Sequence, residues 1–555
     1  MGFFWSKFAT EKNRWFALIF LSLGLAIVII DNSVLNVAIP YILRDLHTSF
    51  DAIQWVISGY ALIIATVLIT IGRLGDLIGR KKVFLLGTIF FAIGSFIASI
   101  APNAQILFLG EAFIEAIGAA MMLTSSLALL ATEFQGKERS LAFGVWGSVA
   151  GASATIGPML GGYLTSHYSW RWSLRINVIV TIIAILGSIF IKEARGEGEK
   201  RFDWFGTFFS GLGLFSLVFG FIEGQKYGWW IPNENFSIGE FQWPFGISII
   251  PVSFALGILS LIFFCITEYI IEKKEKSPLL KLSMFKSKGF SLGLLTLGIA
   301  TLGQFGMFFI LPIYLQNVLG LDAFTTGIVF LPVSLTIAIF GPLSGIISSK
   351  VGPKWVVSSG MVASAIGTFL LSQTISLHAT SLVLAPGLAL FGIGIGMTGA
   401  QLTNIILSAV PPVFAGESSA ASATIRQIGT SIGVAIIGVV LAASLSTTIV
   451  STITTDTTIP TELKASIINQ VKHVSVESGQ KGKFPPGTPQ SIITTVTKDI
   501  NQSFVDASKN AINVALVFII IGALASLWIP NNKPLSWEEI NKQRNNQAKT
   551  NSGTK

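Results

Sequence analysis

Charge, cysteine and histidine are all scarce in this chain, and each scarcity removes a class of function. Asp, Glu, Lys and Arg make up only 12% of 555 residues, where a soluble domain carries about 25%. Too few charges remain to cover a water-facing surface of this size. The one cysteine, Cys265, lies in the apolar run 261–267, so no intramolecular disulfide can form and thiols do not report the compartment. The four histidines, His47, His167, His378 and His473, fall between the apolar runs and read as solvated loop residues. No Cys/His cluster has metal-ligand spacing, so no metal site is expected. The Gly-rich Lys-Ser/Thr loop of an ATPase is missing, as is any Ser-His-Asp constellation, and the chain reads as neither an enzyme nor an ATP-driven pump. Energy for work then comes from an ion gradient or from the substrate itself.

What the chain has in excess is hydrocarbon. Fifty-one per cent of the residues are hydrophobic and the mean hydropathy is +0.70. Apolar runs of roughly 18 or more residues recur from end to end, each long enough to cross about 30 Å of lipid as a helix whose backbone satisfies itself. Reading them between charged or Pro/Gly-rich breaks gives about 14 spans, the first of them an uncleaved helix that follows a short amphipathic N-terminus, 1–14. An even number puts both termini on one side. Most of the 37 Lys and Arg fall in the termini and short loops of that side, which assigns both termini to the cytoplasm and explains the net charge of +9 as topology. Nucleic acid is not an expected partner, because no compact basic module is present. The long outer loop 446–510 carries Ile492, Val496, Ile500 and Phe504 at helical spacing, a stripe expected to lie in the outer membrane interface, the alternative being a lid over the outer mouth. The tail 531–555 is polar and is expected to be disordered.

A repeat divides the spans. After span 2 comes Gly72-Arg73-Leu74-Gly75-Asp76-Leu77-Ile78-Gly79-Arg80-Lys81-Lys82, and after span 10 Gly345-Ile346-Ile347-Ser348-Ser349-Lys350-Val351-Gly352-Pro353-Lys354 repeats the seven-residue Gly-to-Gly spacing. Two halves that end a helix alike suggest duplicated bundles. The first block resembles the signature loop of the major facilitator superfamily, with Asp76 and Arg80 in its charged positions; the second copy is degenerate, Ser349 standing in place of the acid. Ile30-Asp31-Asn32-Ser33-Val34-Leu35-Asn36-Val37-Ala38-Ile39-Pro40 resembles the first-helix motif of the fourteen-span drug:proton antiporters. Gly151 with Gly157-Pro158-Met159-Leu160-Gly161-Gly162 is similar to their span-5 antiporter motif, and Leu311-Pro312-Ile313-Tyr314-Leu315-Gln316 and Arg426-Gln427-Ile428-Gly429 also look like that family.

The resemblance implies an all-α membrane protein of the major facilitator fold. It comprises an N-terminal six-helix bundle over 15–191, two inserted helices within 204–268 (about 204–222 and 244–268), and a C-terminal six-helix bundle over 290–530 that includes the outer loop. It also implies proton-coupled efflux of amphipathic or cationic small molecules by alternating access, driven by the transmembrane proton gradient with no bound cofactor. Gly72, Asp76, Gly79 and Arg80, and Gly157, Pro158, Gly161 and Gly162, would take the conformational gating roles. Export of an endogenous metabolite, lipid-like molecule or siderophore is the alternative, and a non-transporting receptor a more distant one. The expected partners are substrate, protons and the lipid bilayer of the cell membrane, joined by a periplasmic adaptor if the host has an outer membrane; the chain is expected to act as a monomer.

Ionisable groups inside spans are the strongest functional signal, since each costs roughly 2.5–3.5 kcal/mol at a helix centre unless it finds a partner or water. Asp31 lies deep in span 1, one turn from Leu35, and is expected to carry a proton or cation. In span 4, Glu111 and Glu115 are four residues apart, on one helical face, where repulsion and loss of solvent favour sharing a proton. Similar transporters carry an arginine in this span and this chain does not, whereas Arg175 in span 6 stands where they have an apolar residue. Arg175 is therefore expected to pair with Glu111 or Glu115, the alternative being that it snorkels outward. Asn36, Gln304, Phe308, Gln316, Arg426 and Gln427 supply amide, aromatic and cationic groups expected to line the substrate cavity.

Overall fold

The computed structural model describes residues 14–195, 202–238, 241–274, 278–455, 459, 464 and 490–531. The amphipathic stretch 1–13, His473, the middle of the 446–510 loop and the tail beyond 531 lie outside the described residues. Fourteen long helices account for nearly all the rest. They are α1 (Arg14–Asp45), α2 (Phe50–Ile78), α3 (Arg80–Ser99), α4 (Ala104–Glu133), α5 (Gly136–His167), α6 (Trp170–Gly187) and α7 (Trp204–Tyr227). Then follow α8 (Ile249–Lys273), α9 (Lys288–Asn317), α10 (Leu331–Val351), α11 (Pro353–Thr374), α12 (Ser381–Ser408), α13 (Ala415–Thr455) and α14 (Gln490–Ser526). Thirteen are long and apolar enough to cross a membrane. The other, α5, is rich in Gly and Ser, and its glycines pack closely on α1 and α10. A small hairpin, β1 (Ser237–Ile238) with β2 (Phe241–Gln242), joins α7 to α8.

Buried apolar side chains separate into two large clusters. One runs from Ala17 to Ile191 with Leu407 and Ala415 added, and the other is built almost wholly from residues after Leu279. These are the cores of two six-helix bundles, α1–α6 and α9–α14. The inserted pair packs on itself through Gly213 against Leu261 and Gly257 against Leu217, while Ser253 Oγ donates to Ser216 O at 2.7 Å. The outer flank of α8 (Ile258, Ile262, Ile266) is exposed, as is Cys265, which suits a helix whose solvent is lipid.

The repeat seen in the sequence has a backbone counterpart. Gly79 separates α2 from α3 at φ +117° and Gly352 separates α10 from α11 at φ +96°, a region that favours glycine, so both turns reverse the chain without a loop. Contacts between Arg14 and Glu138, Lys81 and Ile191, Gly345 and Ser140, and Gly289 and Pro530 bring the ends of seven helices to one face of the molecule. We call this face the terminal end, because α1 begins and α14 finishes there.

The 446–510 segment differs from expectation. α13 runs on to Thr455 and α14 starts at Gln490, so both overshoot the ~30 Å hydrocarbon thickness at 1.5 Å per residue. Val496 and Phe504 are buried in the same cluster as Ile449 and Ile453, with Ile492 and Ile500 packed against it. The stripe covers the extension of α13 and does not lie in an interface, since two projecting helices bury more apolar surface on each other than a lone helix buries in headgroups.

Close approach inside the first bundle depends on missing side chains. A Cβ on Gly87 of α3 would come within 2.6 Å of Met121 Cβ and 2.9 Å of Gly118 O on α4. Gly87→Ala is expected to force these helices apart at a cost of about 1–3 kcal/mol. The cost is read as a lower Tm of the purified protein in detergent; an unchanged Tm shows that α3 and α4 do not pack this closely.

Candidate functional site

Five helices of the first bundle bring acidic and amide groups to one buried point. Asp31 comes from α1, Glu111 and Glu115 from α4, Ser95 from α3, Asn177 from α6 and Tyr60 from α2, and none is more than 3% exposed. One carboxylate oxygen from each of the three acids lies within 4.8 Å of the other two. Asn177 Nδ2 donates to Asp31 Oδ1 at 2.5 Å, with Ser95 Oγ at 3.2 Å and Glu115 Oε1 at 3.4 Å also in reach, and the Ser95 hydroxyl donates to Glu115 Oε1 at 2.6 Å. The amide thus ties α6 to α1, α3 and α4.

The local backbone makes the cluster. Phe108–Glu115 forms a π-helical stretch at the start of α4, its wider turn setting the two glutamates nearly above one another. α3 presses against this stretch because Gly94 and Gly110 carry no Cβ; one on Gly94 would meet Glu115 N at 2.5 Å and one on Gly110 would meet Ala98 N at 2.6 Å. Both oxygens of Glu111 and one each of Asp31 and Glu115 are buried without a donor, and no Lys or Arg among the described residues forms an ion pair with any of the three. Two like charges about 4 Å apart repel by roughly 4 kcal/mol even at an effective dielectric of about 20. Three acids without a cation therefore stay together only if they hold protons between them or bind a cation.

Arg175 is not the partner expected of it. It is half-buried on α6 with its guanidinium 5.2 Å from the centre of the Trp172 ring, and it pairs with neither Glu111 nor Glu115. The reason is helical geometry: two residues on, Asn177 points about 200° away around the axis, and Asn177 is the one that faces the acids.

Four of the residues expected to gate, Gly72, Asp76, Gly79 and Arg80, lie at the terminal end, where the two halves meet. Arg80 donates to Asp76 Oδ1 from Nε at 2.9 Å, the ion pair closing at 2.7 Å, and its Nη2 reaches across to Pro412 O at 3.3 Å and Val413 O at 3.1 Å. Gly72 packs on Gly416 and Ala420 of α13, and Asp76 on Gly416. Arg73 lies 3.7 Å from Glu417, whose other oxygen accepts from Lys281 N at 3.0 Å. Gly79 leaves room for Glu193, which accepts from Lys81 N at 3.0 Å. Sequence reasoning missed Glu417 and Lys281; an acid opening a helix after Pro411-Pro412 was the available signal.

At the second seam α5 meets α10 and α12. Gly144 faces Gly341, Gly151 faces Ile337, and Ser148 Oγ donates to Ile337 O at 3.0 Å. Gln401 Nε2 donates to Ser344 Oγ at 3.1 Å and Asn404 Nδ2 to Ser140 Oγ at 2.9 Å. Further along α5, Gly157 packs on Ser33 and Gly161 on Val34, both on α1 next to Asp31, while Pro158 and Gly162 are half-buried in the same helix.

The expected cavity residues do not converge. Gln304 Nε2 donates to Thr398 Oγ1 at 3.2 Å, Arg426 Nη2 donates to Thr403 Oγ1 at 3.1 Å, and Phe308 packs between Phe330 and Phe391; all of these contacts join helices within the second bundle. Gln427 is half-buried on α13. Gln316 is exposed at the far end of α9, the residue next after the buried Tyr314-Leu315 pair and one before the helix ends, which removes it from any midplane cavity. Asn36 belongs to α1, but its side chain is outside the described set.

Comparison with known proteins agrees with this architecture. The chain is 31% identical over 437 residues to the puromycin resistance protein pur8 of Streptomyces alboniger, covering 78% of this chain and 82% of that one. It is 27% identical over 526 residues to the tetracenomycin C resistance and export protein of Streptomyces glaucescens, covering 94% and 92%. Among solved structures, the proton:xylose symporter XylE bound to 6-bromo-6-deoxy-D-glucose superposes with a TM-score of 0.56 over 95% of this chain and 98% of that one, at 12% identity, a likeness of fold alone. The sequence profile of the Major Facilitator Superfamily matches residues 21–434, and with two six-helix bundles built around that match the chain belongs to this superfamily of membrane transporters.

Proposed function

We propose that the chain exports amphipathic or cationic small molecules across the cell membrane in exchange for protons, with Asp31, Glu111 and Glu115 as the proton-carrying group. The single observation that carries this reading is the clustering of three buried acids with no cationic partner among the described residues, in a transporter without a nucleotide-binding motif. A proton entering the cluster neutralises charge that low-dielectric surroundings penalise, and a proton leaving it restores that charge. Only states that expose the cluster to water on one side or the other can exchange protons, and this ties titration to rocking of the halves. Asn177 acts as the positioning residue, its amide holding α6 to whichever acids are ionised.

Relatives named for antibiotic resistance and export support efflux as the direction and drug-like compounds as the cargo. The bias of Lys and Arg supports placing the terminal end in the cytoplasm. On that assignment the Asp76–Arg80 pair and its bonds to Pro412 and Val413 close the cytoplasmic side, and releasing them opens it. Gly157, Pro158, Gly161 and Gly162 form the smooth α5 surface against which α1 moves, and Arg426, Gln427, Gln304 and Phe308 face the substrate path when the halves separate. The protein acts as a monomer, joined by a periplasmic adaptor where the host has an outer membrane.

Reconstitution in liposomes with an imposed pH gradient tests the coupling. Each exchanged proton supports about a tenfold substrate gradient per pH unit, since one unit is worth 1.36 kcal/mol. Asp31→Asn, Glu111→Gln and Glu115→Gln are each expected to abolish concentrative efflux while leaving substrate binding measurable; concentrative efflux in all three variants rejects the cluster as the carrier.

Asn177→Leu keeps the helix apolar and removes the shared donor. Its gradient-driven rate is expected to fall while the KM for substrate stays near the wild-type value. A raised KM with an unchanged maximal rate would place Asn177 in substrate binding instead.

A further inference from the structure

The inserted helices are tied to the terminal-end gate by a short strap of backbone. Between α8 and α9 the chain passes through Pro278–Ser287, and three of its N–H groups are held by acids from two different places. Glu268 of α8 accepts from Leu280 N at 3.1 Å, Glu417 of α13 accepts from Lys281 N at 3.0 Å, and Glu272 of α8 accepts from Ser283 N at 3.2 Å. The grip therefore alternates between the inserted pair and the gate helix over four residues. Lys281 adds a second hold, its Nζ lying 4.2 Å from the centre of the Phe414 ring in the segment that precedes Glu417. Leu279 and Leu280 are buried in the same apolar cluster as Phe264 of α8, Leu214 of α7 and Ile69 of α2.

These contacts close a ring across the seam between the halves. α2 packs on α7 (Thr66 against Gly211, Leu214 near Ile69), and α7 packs on α8 (Gly213 against Leu261). α8 holds the strap, the strap holds Glu417 of α13, and Glu417 faces Arg73 back on α2. Moving α13 away from α2, as opening of this end requires, pulls Glu417 from Lys281 or Leu280 from Glu268. Glu268 is fully buried and its other oxygen has no donor, so its bond to the strap is the anchor that solvent cannot replace.

We propose that α7, α8 and the strap brace the seam and bias the transporter toward the state closed at the terminal end, with Glu268 and Glu272 as positioning residues that act through Glu417. The proposal rests on alternating access and is independent of the coupling ion.

The test reads conformation without substrate or ion gradient. In a Cys265→Ser background, spin labels at Lys137→Cys and Lys350→Cys, both exposed and on opposite halves, report opening at the terminal end as a longer distance in pulsed electron resonance. Glu268→Ala is expected to raise the open-to-closed ratio roughly three- to tenfold, the effect of losing one ordinary hydrogen bond. Glu268→Gln, which still accepts through its amide oxygen, is expected to restore the wild-type ratio. If Glu268→Ala does not fold, Glu272→Ala carries the test from the partly exposed end of the strap, with a smaller shift in the same direction. Two wild-type populations left unchanged by both alanine variants overturn the brace alone. A single wild-type distance that Asp76→Ala, which breaks the pair with Arg80, does not move overturns alternating access, and the brace with it.

Discussion

Three carboxyl groups are buried together inside a single helical bundle, and the rest of the molecule is arranged around the consequences of that crowding. Unpaired charge at such a depth is expensive, and the site is furnished to limit the expense: an amide from α6 and a hydroxyl from α3. Among the described residues no lysine or arginine pairs with the acids. A permanent cation would hold them ionised through every step and leave nothing to titrate. The same logic accounts for Arg175, kept two residues away on the other side of α6 and stacked on Trp172.

The seams at the terminal end divide their work between charge and shape. At the corner of α2 and α13 the contacts are ionic or charge-assisted, running from Asp76 and Arg80 to carbonyls of the α12–α13 turn and from Arg73 to Glu417. Among the described residues, the contacts at the corner of α5, α10 and α12 are uncharged, made by glycines, serines, the Ile337 side chain and the amides of Gln401 and Asn404. This asymmetry follows from the degenerate second copy of the signature loop, where Ser349 replaces the acid. With no charge to pair there, close approach through Gly144 and Gly341 takes over. Uncharged contacts of this kind slide with little desolvation, whereas a charge-assisted lattice is made or broken as a unit. One corner is suited to act as a latch and the other as a bearing.

Much of this was legible in the order of residues, and the limits fall where contacts depend on distant chain. Asp31, Glu111 and Glu115 stood out because acids in apolar runs demand a reason, and the repeated glycine spacing gave the two turns that share a positive φ. That the three acids meet at one point was not legible, since it depends on the π-helical stretch of α4 and on how glycines let α3 approach. Asn177 was passed over for the charged Arg175 nearby; only helical phase distinguishes them, and phase relative to a neighbour requires the neighbour. Gln316 failed for a similar reason, because an amide near the end of a span reads the same whether it faces a cavity or the water beyond. The stripe from Ile492 to Phe504 was read correctly as helical and apolar on one side, but its partner, the extension of α13, is not a near neighbour in sequence.

The acids sit in the first bundle and the seam lies tens of residues away, so α5 has to serve both. On one side its Gly157 and Gly161 lie against Ser33 and Val34, within one turn of Asp31; on another its Gly144, Ser148 and Gly151 form the contact with α10. A rigid helix that touches the charged helix at one level and the opposite half at another can transmit a tilt without any chain of specific bonds. Small residues at both levels keep that helix close to its neighbours while leaving no large side chains to interlock and resist the motion. The same economy explains why α5 is the least apolar of the long helices in the first bundle: it packs on α1 and on the opposite half through glycines, and what it needs there from its side chains is a smooth surface more than hydrocarbon.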